Sequence, residues 1–243
     1  DPFAAGRLPG VLPPGLYRFE GAVREADALA FLLGSYRFAR YKPAPAGPRL
    51  LAPEGIDAAR LARLAQAVAL GRDLINTPAN DLGPQELEDA ARALALKHGA
   101  TIEVVSGDAL RQGFPLIAAV GRASPRAPRL IDLRFGDEGP RVTLVGKGVV
   151  FDTGGLDLKP SAAMALMKKD MGGAASALAC ADMIMGDMRA GAGPKIRLRV
   201  LLPVVENAVA GEAFRTSDVY RSRKGLTVEI GNTDAEGRLI NPR

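Results

Sequence analysis

Apolar positions in the first fifty residues are broken too often by Gly, Pro and Ala to sustain a long element. The exception runs from about Glu25 to Tyr41, where Ala28, Phe31, Leu32 and Ser35-Tyr36 share one side of a predicted helix that Pro43, Pro45 and Pro48 stop. Residues 56–75 carry Leu61, Leu64, Ala65, Val68 and Ile75 at helical spacing, predicting a long helix that ends near Asn76-Thr77-Pro78. Another helix is expected after Gly83-Pro84. Proline stands in its first turn, Glu86, Glu88 and Asp89 come early, and Gly99 ends it. The period then changes. Residues 101–105, 116–120, 129–135 and 141–151 are short, rich in β-branched side chains and separated by Gly or Pro, and they predict strands. An Ala-rich helix over about 172–188 follows, then strands at 195–205 and 226–230. This alternation predicts an α/β fold with a mixed, mostly parallel sheet sandwiched between helices. Residues 1–52 read as the tail of a preceding domain with a linker, 53–78 as a linker helix and 79–243 as the main domain.

Composition adds exclusions. With 47% hydrophobic and 24% charged residues the chain is an ordinary globular sequence, and no apolar run approaches the ~20 residues of a membrane span. Cys180, the single cysteine, excludes a disulfide framework within the chain and fits a reducing, cytoplasmic compartment. Its setting, Ala-Leu-Ala-Cys-Ala-Asp, predicts a buried helix face. The net charge of +5 permits nucleic-acid contact, but Lys and Arg are dispersed and Trp is absent, so a solvated surface is expected instead. The chain begins at Asp1 with nothing like a signal peptide, and its natural N-terminus reads as missing. His98 is the sole histidine. Any Ser-His-Asp or Cys-His mechanism would have to use it, yet it lies at a helix end where a cation suits the dipole. Hydrolytic chemistry must therefore rest on carboxylates, Lys and Arg.

Two glycine-rich segments concentrate such groups. Val145-Gly-Lys-Gly-Val-Val-Phe-Asp-Thr-Gly-Gly-Leu-Asp-Leu-Lys-Pro160 displays Lys147, Asp152, Asp157 and Lys159, and Met167-Lys-Lys-Asp-Met-Gly-Gly173 puts Asp170 ahead of a helix. The second segment, Gly231-Asn-Thr-Asp-Ala-Glu-Gly-Arg-Leu239, presents Asp234, Glu236 and Arg238. In extended chain Asp234 and Glu236 point the same way and repel unless a cation lies between them. Four acidic groups without histidine point to a carboxylate-bridged pair of Mg²⁺, Mn²⁺ or Zn²⁺ ions, which together can activate water and polarise a carbonyl. From spacing alone, turns and helix caps account for the same residues equally well. A phosphate cradle would need Gly-x-x-x-x-Gly-Lys-Ser/Thr, which is absent.

Three motifs, Val-Gly-Lys-Gly-Val-Val-Phe-Asp-Thr-Gly-Gly, Met-Lys-Lys-Asp-Met-Gly-Gly-Ala-Ala and Asn-Thr-Asp-Ala-Glu-Gly-Arg-Leu, closely resemble those of the leucyl (cytosol) aminopeptidases, two-metal peptidases, in order and spacing. Weaker resemblance reaches back through Asn76-Thr-Pro-Ala-Asn80 and Gly34-Ser-Tyr-Arg-Phe38. The resemblance implies that Lys147 and Asp170 hold one metal, that Asp152 and Glu236 bridge, and that Asp234 binds the other metal. It implies that Lys159 stabilises the tetrahedral oxyanion and that Arg238 holds a bicarbonate ion serving as proton shuttle. It further implies peptide substrates with a free N-terminus, whose α-amino group binds a metal, a preference for Leu-like first residues, and a homohexamer. Asp157 falls where the family varies and is expected to be a surface or supporting group. Lys168 and Lys169 are expected to be solvated. Met164 and Met167 fit a first-residue pocket or core packing equally well.

Family members continue past Arg238 with a helix and further strands, whereas this chain ends at Ile240-Asn-Pro-Arg243, so 79–243 reads as a catalytic domain incomplete at its C-terminus. Two rival readings follow: a catalytically inactive, structural member, or a nucleic-acid-binding protein.

Overall fold

The computed structural model describes residues 1–241 and contains two compact units, Asp1–Asp73 and Leu74–Arg243. The first holds a 3-10 segment at Ala4–Gly10, β1 (Gly15–Tyr17), α1 (Glu25–Gly34), β2 (Pro48–Leu50), which pairs parallel with β1, and most of α2 (Ala58–Asn76). Helix α1 is seven residues shorter than the pattern to Tyr41 predicts. The Leu33 carbonyl accepts from the Arg72 guanidinium at 2.6 Å and the Gly34 carbonyl from the Arg37 guanidinium at 2.9 Å, so side chains take acceptors that another turn would need.

The second unit begins with α3 (Pro84–His98). Glu86 reaches back to the Gly83 amide at 2.8 Å, and Gly99 ends the helix in the left-handed region at φ 74°. There follow β3 (Thr101–Ser106), α4 (Gly107–Gly113), α5 (Pro115–Gly121), β4 (Arg129–Phe135), β5 (Arg141–Val145), β6 (Gly148–Asp152), α6 (Ser161–Met164), α7 (Gly172–Arg189), β7 (Arg197–Asn207), β8 (Val219–Arg221), β9 (Thr227–Glu229) and α8 (Gly237–Ile240). Residues 116–120, expected as a strand, form α5. Pro115 supplies the first helical position, where its missing N–H costs nothing, and Ile117 and Val120 bury one face. Residues 141–151, expected as one strand, are two, broken at Gly146-Lys147.

The mixed sheet is present. β4 lies antiparallel to β3 and to β7, while β5 and β6 both run parallel to β7, so two pairings are parallel and two antiparallel. Adjacent residues of β4 face opposite layers. Leu130 joins Leu110 of α4, Ile117 and Val120 of α5, Val149 and Val205 in one cluster. Ile131 and Leu133, with Leu198, Val200 and Leu202 of β7, are buried in the layer to which α3 and α7 contribute Leu87, Ala91, Leu94, Leu178 and Met185. His98, the last residue of α3, is buried with Nε2 2.6 Å from Asp182 Oδ1 of α7, the structural role its position implies. Cys180 does not lie on the buried face. One turn from exposed Ser176, it is exposed, while Leu178, Ala179 and Ala181 turn inward.

Candidate metal centre

The parallel pair β6 and β7 brings Asp152 level with Asn207 at their C-terminal ends, the edge of an α/β sheet where ligands bind. Asp152 Oδ1 accepts from the Gly154 amide at 2.9 Å and from Asn207 Nδ2 at 2.8 Å. The chain then turns through Gly154 and Gly155, both at positive φ, and a Cβ on Gly155 would stand 2.9 Å from Thr233 Oγ1. This turn returns Lys159 so that its ammonium lies 2.9 Å from Asp152 Oδ2 and also contacts Asp234. Lys147 occupies the break between β5 and β6. Its carbonyl accepts from the Ala174 amide near the start of α7 at 2.8 Å. Asp170 sits in the 3-10 turn Met167–Met171 that leads into α7.

Asp234 and Glu236 are not in extended chain, and their side chains do not share a partner. The Asn232 side chain caps the Asp234 amide at 2.6 Å and starts a 3-10 turn over Thr233–Ala235, so Asp234 goes to Lys159 and Glu236 to Lys147. Six of the seven candidates thus form two triads, each a lysine between two carboxylates. Lys147 Nζ is 2.7 Å from Glu236 Oε1 and 2.8 Å from Asp170 Oδ2, and Lys159 joins Asp152 to Asp234. Arg238 stands apart. It is exposed on α8 beside a cleft of about 760 Å³ that Phe114, Leu116, Leu226 and Val228 also line, and no described contact links it to the other six.

Four carboxylates face two ammonium groups, so charge balance is short by two positive charges. Oxygens of Asp152, Asp170 and Glu236 lie within 4.8 Å of one another. Both Glu236 carboxylate oxygens and Asp170 Oδ2 are buried without a directed hydrogen bond, despite the short separations from Lys147. Burial pushes the Glu236 carboxyl up; Lys147 opposes this, and the Asp152 charge adds to it. Burial works to lower Lys147, but Asp170 and Glu236 outweigh it and its pKa is raised. Burial likewise opposes the charge on Lys159, and Asp234 and Asp152 raise its pKa further. Buried carboxylates in a set short of positive charge, with Glu236 Oε2 lacking a donor among the described residues, fit divalent cations.

Two contributors were not among the candidates. Asn207 is wholly buried and donates to both Asp152 and the Thr233 carbonyl, the latter at 3.1 Å. Thr233, also wholly buried, donates from its hydroxyl to the Gly154 carbonyl at 2.6 Å. A polar residue closing the apolar run Leu201-Leu-Pro-Val-Val-Glu-Asn207 is the signal in the sequence. Lys168 is not simply solvated, since its ammonium donates to the Asn76 carbonyl at 2.7 Å; Lys169 is exposed. Asp157 is exposed and hydrogen-bonded to Thr233, as a supporting group would be.

The chain is similar to known proteins. A probable cytosol aminopeptidase of Rhodococcus opacus (strain B4) is 40% identical over 235 residues, covering 88% of this chain and 46% of the relative. The crystal structure of a cytosol aminopeptidase from Coxiella burnetii superposes with a TM-score of 0.92 at 45% identity, over 98% of this chain and 52% of that one. A bottromycin maturation enzyme, BotP, solved in complex with Mn, gives 0.86 at 36% identity over 98% and 54%. The chain spans about half the length of the curated relatives it matches. Residues 69–240 match the cytosol aminopeptidase family, catalytic domain, and the chain belongs to that family.

Proposed function

We propose that this chain carries the metal centre of an aminopeptidase that hydrolyses the N-terminal peptide bond of peptides, with Leu-like first residues favoured. The observation that carries the reading is the buried carboxylate cluster of Asp152, Asp170 and Glu236, whose negative charge exceeds that of the lysines beside it. In this reading Asp152, Asp170, Asp234 and Glu236 would hold two divalent ions, Mn²⁺ or Zn²⁺, with Mg²⁺ a third candidate, and Lys147 would join them as a neutral amine, the form that nearby dications favour by repelling its ammonium proton. Such ions, when bound, polarise a carbonyl and make water a nucleophile at neutral pH. Asn207 fixes the rotamer of Asp152. Lys159, held charged by its carboxylate neighbours, presents preorganised positive charge to the developing oxyanion. Arg238 would hold a bicarbonate ion, which would supply the base that a chain with one histidine, His98, paired with Asp182, otherwise lacks. The protein acts in the cytoplasm, and the full-length assembly is a homohexamer. No described helix is long and apolar enough to cross a membrane. The intact candidate set and relatives named as aminopeptidases give no support to an inactive member.

Hydrolysis of leucine p-nitroanilide with added Mn²⁺, with and without bicarbonate, tests the reading beside Asp152→Ala. Metal-dependent turnover that the substitution abolishes is the expected result. Two ions bound without turnover would leave the metal centre standing and remove the catalytic claim for this chain. Neither binding nor turnover would remove both.

A further inference from the structure

The two halves of the centre come from chain segments more than seventy residues apart. One turn, 153–159, follows Asp152 and delivers Lys159; the other, 232–236, carries Asp234 and Glu236. We propose that Asp157 is a positioning residue, whose side chain and backbone amide together tie these two turns to each other and so set the spacing of the ligands on either side. This inference rests on the metal-centre reading above.

The tie is a closed set of hydrogen bonds around Thr233. Its backbone amide donates to Asp157 Oδ2 at 2.7 Å, and the Asp157 amide donates to Thr233 Oγ1 at 2.8 Å. The one hydroxyl proton of Thr233 goes to the Gly154 carbonyl at 2.6 Å, on the same turn as Asp157, rather than to Asp157 Oδ2 at 3.3 Å. Asp157 Oδ2 takes a further donor, the Thr216 hydroxyl at 2.8 Å, from a third segment. That segment is itself fixed, because Ser217 takes a left-handed conformation at φ 71° and its amide donates to the Ile230 carbonyl at 2.7 Å. A local turn cap would bond within a few residues, whereas the bonds of Asp157 span 76 and 59 positions. Thr233 stands next to Asp234, and Asn207 grips the Thr233 carbonyl and Asp152 together. A shift at Asp157 therefore reaches Asp234 on one turn and Asp152, just before the other, through Thr233. The side chain of Asp157 contacts none of the proposed metal ligands.

Supporting residues of this kind change metal affinity about 10–100-fold. The test compares the wild-type chain with Asp157→Ala and Asp157→Asn, whose amide oxygen still accepts from Thr233 and Thr216. Two readouts are taken: amide hydrogen exchange over 231–236 without metal, and Mn²⁺ affinity by calorimetry. Faster exchange at Thr233 and Mn²⁺ binding weakened about 10–100-fold in Asp157→Ala, with both restored in Asp157→Asn, is the expected result. Because Asp157 is exposed, the melting temperature should hold, and a melt that falls with no change in either readout would show a merely structural role and overturn the proposal. Wild-type exchange and affinity in Asp157→Ala would also overturn it. Absence of Mn²⁺ uptake by the wild type would overturn the metal-centre reading. The metal-free exchange at Thr233 would then decide the tie by itself, faster exchange supporting it and unchanged exchange removing it.

Discussion

Lys159 is the side chain whose surroundings are most specific to the reaction proposed here. Its ammonium is largely buried, pairs with Asp152 and Asp234, and stays charged throughout the physiological range because those carboxylates outweigh burial. Lys159→Ala should lower kcat about 10²–10³-fold, the loss seen when one oxyanion donor is removed, while KM changes less. Steady-state kinetics read that split, and a Mn²⁺ titration of the same variant shows whether the loss comes through the ligands instead. Asp132 has strong electrostatics with no part in the chemistry. It is buried within the sheet and accepts from Arg199 at 2.7 and 2.9 Å and from Arg134 at 2.5 Å. Burial raises its pKa, but the two arginines outweigh burial and hold it below the ordinary value. A depressed carboxylate stabilises the fold above its unfolded pKa of about 3.9 and loses that contribution as pH falls through the folded value. Asp132→Asn should therefore cost about 2 kcal/mol at pH 7. The gap to wild type should narrow below about pH 4, as urea midpoints at pH 7 and pH 3 would show.

At the scale of elements, the decisive feature is the break between β5 and β6. One continuous strand would carry Lys147 along the sheet. Instead Gly146 donates to the Leu201 carbonyl at 3.0 Å and lets the start of α7 come close, so that a Cβ there would lie 2.6 Å from the Gly173 carbonyl oxygen. Gly146→Ala must push α7 away or bend the strand. It should destabilise the fold by about 1–3 kcal/mol and weaken Mn²⁺ binding through displaced Lys147 and Asp170, as denaturant unfolding and calorimetry would report. Such a constraint is invisible in sequence, where Gly146 and Gly148 flank Lys147 inside a stretch, residues 141–151, that reads as one strand. Helices α2, α3 and α7 were legible because each is long enough for its spacing to show, and α3 carries terminal signals at Gly83-Pro84 and Gly99 as well. α5 was not, since seven residues of Pro-Leu-Ile-Ala-Ala-Val-Gly are too few to separate a helical period from a strand. The end of α1 was hidden because side-chain hydrogen bonds, rather than a breaker residue, stop it. The groups of the site could be read because glycines crowd them into two short segments. Which lysine meets which carboxylate could not, because that depends on the helical turn at Thr233–Ala235, which separates Asp234 from Glu236.

For the whole molecule, the centre lies entirely within the unit Leu74–Arg243, and it joins parts of that unit that the chain keeps far apart: the loops after β5 and β6, the turn before α7, and the turn before α8. Held together without a metal, these segments leave carboxylate charge only partly compensated, which costs stability. A cation that binds the folded site and not the unfolded chain returns that stability as RT ln(1 + [L]/Kd), about 2.7 kcal/mol at one hundred times Kd. Mn²⁺ should therefore raise the unfolding temperature in a concentration-dependent way, and a chelator should reverse the rise. The gain should be local as well. Amide exchange should slow over residues 147–173 and 231–240, while α1, whose unit Asp1–Asp73 holds none of the ligands, should exchange as before. Uniform slowing along the chain, or a rise in melting temperature that survives Glu236→Gln together with Asp152→Asn, would show Mn²⁺ acting elsewhere. Protection confined to the two ligand segments and lost in that double variant would place the metal among the carboxylates, because no other arrangement couples those segments and spares the rest.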